Sequence, residues 1–437
     1  MNIGRFAKNL VDSIADAGEK FLDLRRTRGT SVHNLLNLCS DLVSHKGVAS
    51  GLALARQVVM RYENLSEQEK LEFLLSLNRS MGTDLDLVKG AAEQFAAAPD
   101  EKLLKELSGA MASPRQKLFS RMIMAPNGTH AIVKLREDLL MFLRQHPELK
   151  PMDDDLRELL ASWFNPGFLI LKKIDWDTEA SILEKIIRYE AVHDIENWSD
   201  LKKRLSSDRR CFAYFHPSLE DEPLIFVEVA LTKGITASIQ SIIKEENNTE
   251  EEKDTAIFYS INNCQKGLRK IPLGNFLIKM VVNALADELP NIKTYSTLSP
   301  VPGFAKWLKQ EIAREKSSVI YPKERDMLKH LKDEKWFQDD AINQQLKKPL
   351  LRLCAHYLVK EKKYDKPQDA VARFHFGNGA QLHRINWMGN TSAYGIERSF
   401  GLMVNYIYDP KQIEKNHEAY LQAGELAISK SVRGLVG

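Results

Sequence analysis

The chain has 437 residues, and at roughly 150 residues per domain that length asks for two or three domains. Its composition is globular, with 43% hydrophobic and 28% charged residues, 22 Gly and 16 Pro; this excludes a disordered, collagenous or low-complexity chain. Lys and Arg number 62 against 59 Asp and Glu, so the formal charge is only +3 and nothing demands a polyanionic partner such as a nucleic acid.

The start of the chain is amphipathic and carries Asp12, Asp16, Glu19 and Asp23. A secretory h-region is absent, mitochondrial presequences avoid acids, and the ending Ser-Val-Arg-Gly-Leu-Val-Gly carries no peroxisomal or prenylation signal. No apolar run is long enough for a membrane helix. Cys39, Cys211, Cys264 and Cys354 form no CxxC pair. These features predict a soluble, cytoplasmic, reduced protein.

Residues 1–164 read as an all-α helical bundle. Ser66 and Glu69 form a capping box ahead of Leu71, Phe73, Leu74 and Leu75. Breaks fall at Pro99-Asp100, Ser113-Pro114, Pro126-Asn127-Gly128 and Pro147. Between them, 129–144 sets Ile132, Leu135, Leu139, Leu140 and Leu143 on one side of a helix. No internal repeat of fixed period is present.

The texture changes at Trp163-Phe164-Asn165-Pro166-Gly167. From 165 to 437 the chain reads as an α/β domain. An apolar run at 168–172 leads to a helix over 179–189. Strands follow at 210–215, 224–231, 255–261 and 293–296, with a helix over 273–285. The run 244–254 reads as a solvated charged loop.

The strand ending near Ile261 joins the next helix through Arg269-Lys270-Ile271-Pro272-Leu273-Gly274-Asn275. Successive backbone amides and a helix N-terminus can cradle an anion there, Gly274 allows close backbone approach, and Arg269 and Lys270 add charge. The segment resembles the pyrophosphate loop of acetyltransferases at Arg269 and Gly274. It departs at Pro272, which removes one donor where Gly is usual. On these residues alone a surface turn with two solvated cations is the simpler alternative.

Longer motifs extend the resemblance. They are Leu273-Gly274-Asn275-Phe276, Leu298-Ser299-Pro300-Val301-Pro302-Gly303-Phe304, Phe374-His375-Phe376-Gly377-Asn378-Gly379-Ala380, Arg384-Ile385-Asn386-Trp387-Met388 and Gly401-Leu402-Met403-Val404-Asn405-Tyr406. In type, order and spacing they resemble the malonyl-CoA decarboxylase family, most strongly over 207–408. The resemblance implies an α+β multidomain protein, a helical domain followed by a GNAT-like acetyltransferase-fold catalytic domain. It implies a homo-oligomer, dimer or tetramer. It places the catalytic serine on Ser299, the catalytic histidine on His375 and the acyl-CoA loop on Arg269 to Asn275. Many members carry a glutamate at the position of Pro272, so a role for that carboxylate is in doubt here.

The implied chemistry needs little equipment. The malonyl carboxylate is β to a thioester carbonyl that accepts electrons as an enolate, so no cofactor and no metal is expected. The enzyme must orient the carboxylate, stabilise the enolate and protonate C2. Ser299 is expected to fix the carboxylate or accept a proton. His375 is expected to donate the proton, on the strength of its ordinary pKa. Backbone amides, with Asn378, are expected to stabilise the enolate.

Without the resemblance, Ser299 before a proline is a turn or cap residue, and His375 a hydrogen-bonded strand-end histidine. Ser296 and Thr297 are fallback hydroxyls, and His216 and His383 competing histidines. Trp387 and Tyr406 read as core aromatics, and Cys264 as a small buried hydrophobe. Two other functions stay open at this point: an acyl-CoA-dependent N-acyltransferase, which needs an amine site, and a non-catalytic acyl-CoA-binding protein.

Overall fold

The computed structural model describes residues 3–20, 31–219, 221–243, 252–271, 273 and 277–436. Pro272, Gly274 and Asn275 of the candidate loop, and 244–251 of the charged run, lie outside the described residues. The chain forms two compact units. One holds Met1–Ile170, Phe215–Leu224 and Asn263–Leu273; the other holds Leu171–Tyr214, Ile225–Asn262 and Gly274–Gly437.

The first unit is helical. The capping box forms: the Ser66 hydroxyl accepts from the Glu69 amide, and the Glu69 carboxylate accepts from the Ser66 amide at 2.8 Å. The helix it starts, Glu67–Ser80, buries Phe73, Leu74 and Leu77. Pro114 opens the helix Pro114–Ile123, where a missing N–H costs nothing. Gly128–Phe142 buries Ile132, Leu135 and Leu139 as the spacing predicts, and Lys150–Trp163 adds Leu156 and Leu160. These side chains form one core together with Leu219, Leu224, Leu268, Ile271 and Leu273. Two segments from beyond residue 170 therefore complete the helical unit, where the sequence pattern suggests one cut at 164/165. Hydrophobic pattern alone cannot assign them, because each is a short apolar stretch beside a strand.

One buried cation fixes the second of these segments. Arg136, with no exposed surface, pairs its Nε with Asp153 at 2.9 Å. Its Nη1 donates to the carbonyls of Gly267 at 2.5 Å and Arg269 at 3.0 Å. Gly267 lies so close to Val133 that a Cβ would stand 1.9 Å from the Val133 carbonyl oxygen.

The second unit is built on a mixed sheet. Its strands are β1 (Ile170–Ile174), β2 (Arg209–Phe215), β3 (Ile225–Thr232), β4 (Thr255–Asn263), β5 (Thr294–Thr297) and β6 (Ser299–Pro300). Next come a small pair, β7 (Lys362–Lys363) and β8 (Lys366–Pro367), then β9 (Gln381–Asn386) and β10 (Met403–Ile407). The main order is β1-β2-β3-β4-β5-β10-β6, with β9 also on β10. β3 is buried along its whole length, which suits a central strand of β-branched and aromatic residues. Its one charge, Glu228, is met by Arg204 at 3.2 Å. The β4–β5 pair is parallel and runs only from Thr255/Thr294 to Phe258/Thr297, while β4 continues to Asn263. The helix expected over 273–285 is described as Leu277–Glu288.

Arg136→Ala tests the clamp. Removing one partner of a buried, hydrogen-bonded ion pair costs about 3–5 kcal/mol. Urea unfolding of the variant is expected to show a loss of that size, and a loss below about 1 kcal/mol would remove Arg136 from this role.

Candidate active site

Two short elements bring Ser299 and His375 together. Ser299 opens β6, which pairs antiparallel with β10, Ser299 opposite Val404 and Pro300 opposite Met403. Leu298, between β5 and β6, turns its amide to the Phe258 carbonyl at 2.9 Å. Ser299 is thus a strand residue, not a helix cap.

His375 lies in the last turn of the helix Ala370–Gly377, where the sequence pattern suggested a strand end. Local capping explains the difference. Asp369 is the N-cap and accepts from the Ala372 amide at 2.9 Å. At the other end the Gly379 amide bonds to the Phe376 carbonyl and the Ala380 amide to the His375 carbonyl, both at 3.0 Å. This is a Schellman closure with Gly379 at φ +77°, a left-handed position that favours glycine. A Cβ there would also stand 2.1 Å from the Ile413 carbonyl oxygen. The motif Phe-His-Phe-Gly-Asn-Gly-Ala is therefore a helix terminus that holds an imidazole.

The Ser299 Oγ stands 3.0 Å from His375 Nε2, and His375 Nδ1 stands 2.8 Å from the Tyr408 hydroxyl. Ser299 donates to Thr297 Oγ1 at 2.9 Å, and that oxygen also accepts the Tyr406 amide at 3.1 Å. The His375 ring stacks on Tyr406, centroids 4.4 Å apart and 25° between planes. Ser299 is 6% exposed, His375 2% and Tyr408 1%.

Burial sets the protonation. Desolvation lowers the His375 pKa from its ordinary 6.5 to about 3 and raises the Tyr408 phenol well above its usual value. The imidazole is neutral at working pH, and Tyr408 keeps its proton. Ser299 spends its single proton on Thr297, so the proton between Ser299 and His375 belongs to Nε2. The Tyr408 hydroxyl then donates to Nδ1. The chain runs Tyr408 to His375 to Ser299 to Thr297, each hydroxyl or N–H donating to the next. The argument for His375 from its ordinary pKa does not apply in this environment. What the geometry supplies is a neutral N–H of fixed direction.

A second network holds Thr297. Asn405 Nδ2 donates to the Thr297 carbonyl at 2.7 Å and the Thr236 carbonyl at 3.1 Å. Its Oδ1 accepts from Asn386 Nδ2 at 2.8 Å and Arg384 Nε at 3.2 Å. The Arg-Ile-Asn and Val-Asn-Tyr motifs thus supply one fully satisfied polar cluster beneath the serine strand.

Other expected residues fall elsewhere. Asn378 caps the His375 helix and gives its side-chain amide to the Phe374 carbonyl at 2.8 Å. Arg269 and Lys270 are exposed, Ile271 and Leu273 are buried, and all four belong to the helical unit. Lys270 takes φ +68°, an uncommon conformation for a side chain of its kind. Ser296 turns its hydroxyl to the Thr297 carbonyl. His216 packs on Phe164 in the helical unit with the ring planes tilted by 51°, and His383 sits half-buried in β9. Trp387 packs on Trp336 and donates to Asn343, as a core aromatic. Tyr406 is buried as expected and is also the face against which His375 stacks. Cys264 is buried. Tyr408 was not singled out in the sequence; its only signal is a second tyrosine two positions beyond Asn405-Tyr406.

Two outcomes are expected. In spectra of ¹⁵N-histidine-labelled protein, His375 should appear as the neutral Nε2–H tautomer down to about pH 5, and Tyr408→Phe should convert it to a tautomer mixture. His375 titrating near 6.5 would contradict the arrangement. Because the folded pKa lies below the unfolded one, its contribution to stability is whole above about pH 6.5 and declines as pH falls toward 3. The acid-side fall in unfolding free energy should therefore be shallower in His375→Gln.

Comparison with known proteins gives a consistent picture. A family model described as malonyl-CoA decarboxylase C-terminal domain matches residues 167–437, and one described as malonyl-CoA decarboxylase N-terminal domain matches 81–164. The chain is 36% identical over 424 residues to the mitochondrial malonyl-CoA decarboxylase of Mus musculus, covering 91% of this chain and 85% of that one. The corresponding protein of Anser anser anser is 40% identical over 351 residues, 74% of this chain and 70% of that one. The crystal structure of malonyl-CoA decarboxylase from Rhodopseudomonas palustris superposes with a TM-score of 0.88 at 47% identity, covering 92% of this chain and 99% of that one.

Proposed function

Because the chain belongs to the malonyl-CoA decarboxylase family, we propose that it is a carboxy-lyase turning malonyl-CoA into acetyl-CoA and carbon dioxide at the Ser299–His375 pair. The observation that carries this reading is the buried contact between Ser299 Oγ and His375 Nε2 at 3.0 Å.

In this proposal the Ser299 hydroxyl turns from Thr297 to the malonyl carboxylate and holds it out of the thioester plane. The carbon–carbon bond then breaks into the carbonyl system, releasing carbon dioxide and leaving an enolate. The enolate takes the Nε2 proton of His375 at C2; as acetyl-CoA leaves and the site opens to solvent, one proton from water restores Nε2–H, with Nδ1 still held by the Tyr408 hydroxyl. One proton is consumed per turnover, which balances the loss of a carboxylate as carbon dioxide. A neutral imidazole suits this task, since a carbanionic enolate is base enough to take its proton and no imidazolium has to be maintained in a dry site. The thioester itself accepts the electrons, so the step needs neither cofactor nor metal.

We assign Arg269 to Asn275 to the CoA moiety, supported by the exposed cations of Arg269 and Lys270. Asn378 is proposed for substrate contact through its place in the His375 helix cap. We also propose that the chain forms a homo-oligomer, dimer or tetramer. A cytoplasmic site is supported by four buried cysteines, none of them in a disulfide; the goose and mouse relatives bear the word mitochondrial in their names. Among the described residues no helix is long and apolar enough to cross a membrane.

The decisive measurement is acetyl-CoA formation from malonyl-CoA with no acyl acceptor present. Wild type should turn over, before and after dialysis against EDTA. His375→Ala should lose about 10²–10⁴-fold in kcat, the range of a general acid. Ser299→Ala should fall at least tenfold with little change in stability. Near wild-type turnover by His375→Ala would end this assignment.

A further inference from the structure

A cleft in the α/β unit, apart from the Ser299–His375 pair, has the makings of a binding site. It has a volume of about 480 Å³, within the usual range for small-ligand sites. Its walls are aliphatic, from Val359, Leu426, Ile428 and Val436, and three cations line it, Lys360, Lys362 and Arg433. None of these residues belongs to the Ser299–His375 network.

The elements that build it are fixed. Lys360 caps the helix Asp340–Val359, and Lys362 begins β7. Ile428 bridges to Leu382 of β9, and the Leu382 and Ser429 backbones exchange a further bond at 3.0 Å. Arg433 and Val436 come from the helix Lys430–Val436.

Lys360, Lys362 and Arg433 make no ion pair and no side-chain hydrogen bond among the described residues. The nearest acid in sequence, Glu361, is turned to His356 at 3.1 Å. Burial, and then the neighbouring Lys360, lower the Lys362 pKa, so the two ammonium groups repel one another. Two lysines at a helix C-terminus gain something from the helix dipole, but that accounts neither for Arg433 nor for the aliphatic wall.

We propose that this cleft binds an amphipathic anion, a phosphate or carboxylate head on a short aliphatic chain, with the head on Lys360, Lys362 and Arg433 and the chain on Val359, Leu426, Ile428 and Val436. An anion there relieves the repulsion between the lysines, and the half-buried aliphatic wall gives its chain an apolar surface to cover.

Calorimetric titration of the full chain tests this with hexyl phosphate, hexanoate and inorganic phosphate as probes. Hexyl phosphate or hexanoate should bind once per chain, at least tenfold more tightly than inorganic phosphate. The double variant Lys362→Glu, Arg433→Glu should weaken that binding at least tenfold and leave malonyl-CoA turnover unchanged, which also shows that the variant is folded. CoA should not displace the probe. Absence of binding, binding unchanged in the double variant, parity with inorganic phosphate, or displacement by CoA would each overturn the proposal.

Discussion

The hydrogen bond from His375 Nε2 to Ser299 Oγ, 3.0 Å long and buried, sets what the α/β unit has to provide. A charged imidazole in that position would be costly, so the ring stays neutral, and a neutral ring must have its tautomer chosen by a partner. Tyr408 makes that choice from one side and Thr297 orders the serine from the other. Burial is therefore not incidental to the site. It turns a group usually poised to gain a proton near neutrality into one that holds a single N–H in a fixed direction.

Much of the surrounding architecture follows from keeping those four side chains in line. Thr297 ends β5, which lies along β4 from Thr294 to Thr297, and Ser299 opens β6, which rests on β10. Asn405 of β10 reaches under them to hold the Thr297 carbonyl and is itself satisfied by Asn386 and Arg384. His375 cannot sit on a long helix, because the chain must turn at once toward β9. An eight-residue helix capped by Asp369 and closed at Gly379 solves this with local bonds alone. Polar residues that look dispersed along the chain are thus the joints of one small frame.

The sequence displayed the periodic and punctuated parts of this molecule well. Ser66-x-x-Glu69, the Pro-marked breaks and the β-branched runs of β3 and β4 each follow from local chemistry, and the structure has them. The Ser299 and His375 motifs were legible as motifs, through resemblance and not through physics. What stayed hidden depends on tertiary context. His375 looked like a strand end, because the eight residues Ala370–Gly377 carry no clear period; the capping Asp369 and Gly379 decide for helix. Its neutral state could not be anticipated, since desolvation is a property of the fold. Tyr408 is one more aromatic in a strand until the imidazole is placed beside it. Arg136 reads as an ordinary surface cation of an amphipathic helix until Asp153 and two distant carbonyls close around it.

The sharing of the chain between the compact units bears on how such a protein can be inherited. Leu219, Leu224, Leu268, Ile271 and Leu273 belong to the helical core although they lie well beyond the last helix of the N-terminal half. A gene fusion or recombination joined at a single point near residue 165 would bring together a bundle lacking part of its interior and a sheet with two apolar excursions matched to nothing. Compatible halves would have to arrive as a set. The two parts of this chain are thus expected to diverge in step, with changes on one side of the helical core compensated by changes in the two short excursions, and not to circulate as separate modules.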